Sequence, residues 1–479
     1  MFRRVSLTCG VAVVLLAVSM GWLQAELARR RAEASEARAI EAQTVADQRL
    51  DLANEAIAAL LNDAADETFK SVPQMASVRA QFLNRSLAFY AELSTSSISE
   101  DEQSRFTTAI AHFRLGDVRR LLGTRDDMMF AETEYQAAIH ELTLLSSEFP
   151  SNQNYTQQLA RSYVGLGELF RIKLRQNQSE LNYGRAIELQ TDLVAAANDH
   201  QRVQYSIDLA NAHMQRGISR KTQAHWKGAL EDFDNVVFLL EELVELDLEA
   251  DQDEQCRVLL AKCYYNQGLA LQIADHSFPV RAKAAFVDAI DELSFVADRL
   301  LADQMRYSHD QARFHYGLAQ LESDNGQLKD AAAHNAEAIR LYEQLNAGTP
   351  EMRLELAKAY LAKAWILDQS NRKDEAIAEF EHASNIVDSV RSQNQEDDSD
   401  ATELLGLILL NKCMFYQQHG QHEDAITSIK PLIDLLHASL YLMAIDLMKK
   451  GLDAVDDPTL VKEYETHLEL FRKKASAVD

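Results

Sequence analysis

The chain has 479 residues, and 48 lysines and arginines stand against 74 aspartates and glutamates, a formal net charge of -26. A field of that sign repels phosphates, so nucleic acid is excluded as a general partner. Only 6 prolines and 16 glycines punctuate a chain rich in alanine, leucine, glutamate and glutamine, which excludes disordered and collagen-like classes and predicts an almost entirely helical protein.

In chain order, residues 1–4 are a short tail. Residues 5–23, VSLTCGVAVVLLAVSMGWL, form 19 positions without a charge, nearly the length that crosses a bilayer as a helix. They predict a retained transmembrane anchor. The rival is a cleaved signal, but no clean small-x-small site follows Trp22. Arg3 and Arg4 precede the stretch and Arg29, Arg30 and Arg31 follow it, so orientation stays open. Residues 24–62 hold neither glycine nor proline and predict a long Ala/Arg/Glu-rich helical linker. A rigid spacer is the first reading of it and a dimerising coiled-coil stalk the second. Residues 63–100, with Pro73 and the apolar run around Phe82, Leu83, Phe89 and Tyr90, predict an atypical capping helical pair.

From residue 101 to 445 the chain repeats. The stretch LARSYVGLGELF at 159–170 places two glycines where a helix is expected, each costing about 1 kcal/mol relative to alanine. Gly167 is followed by Ser179, Tyr183 and Ala186, and this small, aromatic, small order recurs. Gly116 precedes Ala131, Tyr135 and Ala138; Gly217 precedes Ala229, Phe233 and Val236; Gly268 precedes Ala282, Phe286 and Ala289. Ala319 precedes Ala331, Asn335 and Ala338; Ala364 precedes Ala376, Phe380 and Ala383; Cys413 precedes Ala425, Ile429 and Leu432. The first small residues lie 51, 50, 51, 51, 45 and 49 residues apart. A fixed period of this size predicts stacked helix pairs, each burying the apolar stripe its neighbour leaves open. Gly167 is then small because a neighbouring helix crosses there, while Gly165 has no recurrence and is only tolerated. Turn-forming residues at 323–326, 371–374 and 419–422 lie between the paired helices. Residues 446–479 are expected to be a C-terminal capping helix and tail.

These recurrences resemble the tetratricopeptide repeat family, in a long-period variant. The family's small positions fall on Gly116, Gly167, Gly217, Gly268, Ala319, Ala364 and Cys413, and its second-helix alanine on Ala131, Ser179, Ala229, Ala282, Ala331, Ala376 and Ala425. Its bulky residue four positions before the small one is His112, Tyr163, His213, Tyr264, His315, Tyr360 and Leu409 here, never tryptophan. The resemblance implies an all-α, right-handed solenoid of antiparallel helix pairs, behind the N-terminal transmembrane helix. A narrower likeness joins the anchor, the Ala/Arg/Glu-rich helix and SVRAQFLNRSLAFYAEL at 77–93. That order resembles the non-catalytic repeat region of planctomycete-type membrane-bound serine/threonine kinases. No Gly-rich loop, H-R-D or D-F-G segment is present, so it implies an extracytoplasmic repeat domain and no kinase activity.

No other chemistry emerges. There is no His-Glu-x-x-His and no G-x-S-x-G. Cys9, Cys256, Cys263 and Cys413 give neither a disulfide framework nor a zinc spacing. His112, His213 and His315 recur at one helical position, which reads as inter-helix packing or hydrogen bonding. His419 and His422, beside Glu423 and Asp424, read as turn polarity. The acidic run at 396–400 reads as a solvated loop. No enzyme, cofactor or metal is expected.

The expected function is a membrane-anchored, non-catalytic scaffold for protein–protein interaction. Its client would be a peptide or helix lying in the concave surface that the first helices line, with Asn211, Gln215, Asn266 and Lys363 as candidate contacts. The bilayer would be the second partner, through residues 5–23. Two alternatives stay open: a self-associating stalk or spacer without a specific client, and a non-catalytic regulatory partner of a separately encoded kinase. Homo-oligomerisation stays open as well.

Overall fold

A computed structural model of the chain describes residues 22, 26, 29–38, 56–57, 60–61, 73–95, 101–274, 279–299, 304–345, 349–393, 399–431, 438–455 and 457–475. The chain divides into two units, Met1–Ala64 and Ala65–Asp479. In the first, every described residue is helical. Exposed pairs one turn apart, Arg29 with Glu33 at 2.8 Å and Arg30 with Glu26 at 3.2 Å, brace that helix only weakly.

The second unit opens with α1 (Pro73–Thr95), which packs on α2 (Glu102–Leu122). Helices then follow as antiparallel pairs: α2 with α3 (Arg125–Glu148), α4 (Gln153–Ile172) with α5 (Gln176–Ala196), and α6 (Asp199–Thr222) with α7 (Trp226–Val244). Next come α8 (Ala250–Ala274) with α9 (Pro279–Arg299), α10 (Gln304–Asp324) with α11 (Leu328–Gln344), and α12 (Pro350–Gln369) with α13 (Lys373–Gln393). The last pairs are α14 (Ser399–Gln418) with the short α15 (His422–Ile429), and α16 (Ala438–Asp453) with α17 (Pro458–Ala475). Each second helix also packs on the first helix of the next pair along most of the stack, which makes the unit a tetratricopeptide-like α solenoid.

The two kinds of connection close by different physics. Helices α2, α4, α6 and α12 begin with a side-chain cap: Asp101, Asn152, Asn198 and Thr349 accept from backbone N–H groups of the first turn. In the tight turns from first to second helix Thr124 caps α3, but Arg175, His225, Gln327 and Gln421 make no side-chain cap. There the chain reverses through a left-handed residue: Leu174, Ala224, Gly326, Asn371 and Gly420. The following N–H reaches back five residues, as from Arg175 to the Phe170 carbonyl and from Gln421 to the Tyr416 carbonyl, both at 2.8 Å. This Schellman geometry satisfies the last carbonyls of the first helix.

Within 63–100 the described residues 73–95 form one helix, α1. Residues 446–479 contribute a paired arrangement, in which Gly451 on α16 lies against the ring of Tyr464 on α17.

The membrane expectations are corrected. Among the described residues no helix is long and apolar enough to cross a membrane. The physical reason is that these helices are amphipathic: even apolar α16 is 16 residues long and carries Asp446, Lys449 and Lys450. Residues 5–23, Trp22 apart, lie outside the described residues. The transmembrane anchor, the bilayer as a partner and the single-pass location with an extracytoplasmic repeat domain are therefore not carried forward.

Candidate interaction site

The packing positions decide which faces of the first helices stay available. Gly116, Gly167, Gly217, Gly268, Ala319, Ala364 and Cys413 are all buried, as are Ala131, Ala229, Ala282, Ala331, Ala376 and Ala425. An added Cβ on Gly116, Gly167, Gly217 or Gly268 would meet the ring of Tyr135, Tyr183, Phe233 or Phe286 at 2.6–3.1 Å. These rings are fully buried, each worth about 1.5–3 kcal/mol of apolar burial. Gly165 also has a role: its Cβ would stand 2.7 Å from Cε1 of Tyr135, on the preceding pair. Gly317, at the same register two residues before Ala319, faces Phe286 of its preceding pair at 2.9 Å. An aromatic ring is thus clasped by a small residue from its own pair and one from the next.

Successive first helices touch one another from α2 through to α16, whereas among second helices α15 and α17 do so to a comparable degree. First helices therefore share a continuous face, joined by polar contacts of fixed register. Tyr155 donates to Glu102 at 2.6 Å and Tyr205 to Gln153 at 3.5 Å, and Tyr307 donates to Glu254 two repeats further on. Arg161 pairs with Asp208 at 2.9 Å, and Lys262 with Asp310 at 3.3 Å, again at one register.

One cation breaks this balance. Lys221, on the last turn of α6, donates to Oδ1 of Asn266 on α8 at 2.6 Å, and no carboxylate pairs with it among the described residues. The Asn266 amide is fixed in turn by donating to the Lys262 carbonyl at 2.7 Å. Burial, and secondarily the charge of Arg313 on α10, push Lys221 down to about 8. Arg313 lies over the Tyr265 ring with its guanidinium 5.3 Å from the centroid, and it contacts Asp310 at 3.3 Å. The ammonium is thus held between α6 and α8 in the field of Arg313 from α10, with no carboxylate on it among the described residues. A carboxylate arriving there would gain a charge-assisted hydrogen bond in a partly desolvated place.

The other candidate contacts are placed differently. Asn211 and Gln215 lie half-buried on α6. Lys363 turns to the second helix of its own pair, where it meets Glu379 at 2.7 Å, and it lies 5.6 Å from the ring centroid of Tyr360 on its own helix. Lys221 and Arg313 carried no signal in the sequence, because the neighbours that give them meaning lie on other repeats.

The recurrent histidines bond the second helix of their own pair. His112 Nδ1 lies 2.7 Å from Glu134, His213 Nδ1 2.8 Å from Asp232, and His315 Nδ1 3.1 Å from His334 Nδ1. His419 meets Asp368 at 2.7 Å across two first helices. Burial pushes the Cys256 and Cys413 thiols up to about 12 and raises the Cys263 thiol well above its ordinary value, so none is a ready nucleophile. The described residues form helices joined by turns, and the sequence holds no His-Glu-x-x-His, G-x-S-x-G, H-R-D or D-F-G segment.

No protein-family model matches the sequence, and no curated protein matches it. Among solved structures, the apo form of RapI is similar over 88% of this chain and 99% of its own, with a TM-score of 0.51 and 12% identity. BtubC from P. vanneervenii matches 56% of this chain and 94% of its own, with a TM-score of 0.44 and 13% identity. A tetratricopeptide repeat protein from Parabacteroides merdae matches 75% and 98%, with a TM-score of 0.35 and 16% identity. The likeness to RapI speaks for the α-solenoid fold alone, and the TM-scores of the other two are too low to carry an argument.

Proposed function

We propose that the repeat unit is a non-catalytic scaffold for protein interaction. It holds a segment of a partner along the face shared by the first helices, with an acidic group of that segment at Lys221. The observation that carries this reading is the ammonium of Lys221, held by Asn266 beside Arg313 and lacking a carboxylate among the described residues. In a chain of net charge -26, a cation left uncompensated between α6 and α8 is a place for an outside anion. Asn211 and Gln215, on the same helix, are the neighbouring contacts proposed for the rest of the segment. The finer resemblance, to the repeat region of planctomycete-type kinases, rests on 77–93 and would make the partner a separately encoded kinase.

An array of short peptides differing in acidic residues, probed with the full chain, tests the reading. Acid-bearing peptides should be retained, and Lys221→Met should weaken them about tenfold or more, the worth of one charged hydrogen bond. Lys227→Met, at a fully exposed lysine, should change nothing. Binding indifferent to Lys221 would overturn the reading. If no peptide binds and the chain self-associates in sedimentation, a spacer without a client takes its place.

A further inference from the structure

The histidine at the recurrent position has a carboxylate partner in the first and third pairs, Glu134 and Asp232, but a second histidine in the fifth. We infer that His315 and His334 form a two-imidazole site for a zinc-class divalent cation, with both Nδ1 atoms as ligands and Glu322 orienting His334 from behind.

The geometry comes first. The two Nδ1 atoms lie 3.1 Å apart. Zinc–imidazole bonds of about 2.0–2.1 Å at a tetrahedral angle need a nitrogen separation of about 3.3 Å. The separation is a few tenths of an ångström short, and each imidazole must also turn from its present arrangement, with rings 26° apart, so that both lone pairs meet at the ion. The opposite nitrogen of His334, Nε2, faces Oε2 of Glu322 at 3.9 Å. A proton on Nε2 is attracted by that carboxylate, and this leaves the Nδ1 lone pair directed at His315. In the metal-free protein the Nδ1–H of His315 donates to it; on binding, His315 exchanges to its Nε2–H tautomer, so that the ring stays neutral and its Nδ1 lone pair is free for the cation.

Glu322 supplies the second observation. It is 1% exposed, with Lys283 Nζ 2.7 Å from its Oε1, while its Oε2 accepts no hydrogen bond and faces His334 Nε2 at 3.9 Å. A buried carboxylate in that state gains from a nearby imidazolium-like N–H, which a metal on the far side of His334 would create.

The surroundings also separate this pair from its sisters. Asp232 is already occupied by Arg216 and Arg220, and Arg119 stands 3.9 Å from Glu134, so those sites hold cations of the protein's own. At the His315–His334 pair the protein's own cations sit one step away, Lys283 on Oε1 of Glu322 at 2.7 Å and Arg340 on Glu337 at 2.8 Å, and neither bonds the imidazoles. His334 remains 32% exposed, which gives an ion a path in. No group of three or more His, Cys, Asp or Glu side chains among the described residues is arranged to hold a metal ion, so the remaining coordination positions fall to water.

The test is calorimetric titration of Zn2+ into the untagged full chain at neutral pH, with Co2+ absorption as a second readout. His334→Gln keeps a hydrogen-bond partner for His315 and removes a ligand. His315→Tyr uses the residue that the same register carries at Tyr163, Tyr264 and Tyr360. Unfolding midpoints of both variants without metal should match the parent, which separates loss of binding from loss of fold. The expected result is one equivalent bound by the parent at least tenfold more tightly than by either variant. Equal binding by parent and variants, or none by the parent, overturns the inference.

Discussion

Gly165 presents its bare backbone to Tyr135 across the boundary between two helix pairs, so that a Cβ there would stand 2.7 Å from Cε1 of the ring. Such a contact cannot be relieved by the far end of a flexible chain, because Tyr135 is fully buried and its hydroxyl donates to Asp117 at 2.8 Å. Gly165→Ala should therefore cost about 1–3 kcal/mol through overpacking. Gly184 on α5, where a Cβ would meet nothing within 4 Å, is the matched control. Gly184→Ala should stabilise by about 0.8–1 kcal/mol, the helix-propensity gain alone. Urea unfolding of the two variants checks both signs at once.

Left-handed turns without glycine give a second prediction. Leu174 and Ala224 sit at φ 56°, where Gly326 and Gly420 occupy the same turn elsewhere. A side chain in that region costs about 1–2 kcal/mol. Leu174→Gly and Ala224→Gly should each raise stability by about 1 kcal/mol after the entropic cost of glycine, visible as a higher urea midpoint at constant slope.

Asp232 gives the third. It is 1% exposed and is bonded by His213 at 2.8 Å, Arg216 at 2.7 Å and Arg220 at 2.8 Å. Burial alone would raise its pKa, but the bonds from His213 and Arg216 and the charges of Arg216 and Arg220 hold it below the usual carboxylate value. A depressed carboxylate contributes stability above its unfolded pKa, and this is lost as pH falls through the folded one. Asp232→Asn should cost about 3–5 kcal/mol at neutral pH, by stranding buried cations. It should also flatten the acid limb of the stability curve below about pH 4.

Much of this architecture was readable from one residue type at one spacing. Small residues at 116, 167, 217, 268, 319, 364 and 413 disclose the paired helices because close helix crossings tolerate little else. The role of Gly165 stayed hidden since its register otherwise holds Arg114, Gln215, Asn266, Ala362 and Asn411, leaving Gly317 as its lone echo. The pair at Gly451 and Tyr464 escaped because 13 residues separate them, against 16 between Gly167 and Tyr183. Lys221 and Arg313 are 92 residues apart, and His334 occupies a register that elsewhere carries Glu134, Asn182, Asp232, Ala285, Glu379 and Ser428. Sites assembled across repeats leave no local pattern. The membrane expectation drew on 5–23 alone and finds no helix of the needed length and polarity among the described residues.

Lys221 gives the fourth prediction, in two opposite directions. Its pKa, near 8 in the fold, is below the unfolded value of about 10.4, so the unfolded chain binds more protons between them. This lysine's contribution to stability therefore rises with pH across that window. Binding of an acidic peptide runs the other way, weakening as pH rises through about 8 because the ammonium is lost. Lys221→Met should abolish both dependences, which unfolding and peptide affinity measured from about pH 7 to about pH 10 would show.

The most direct test of the central claim asks which face a partner touches. A photo-crosslinking amino acid at Asn211, on first helix α6, would be compared with one at Phe238, 71% exposed on second helix α7. Each full-length variant would be irradiated with the tightest acid-bearing peptide from the array. The account predicts crosslinking from position 211, lost with Lys221→Met, and none from position 238. Crosslinking from 238 alone, or from 211 unaffected by Lys221→Met, would contradict it.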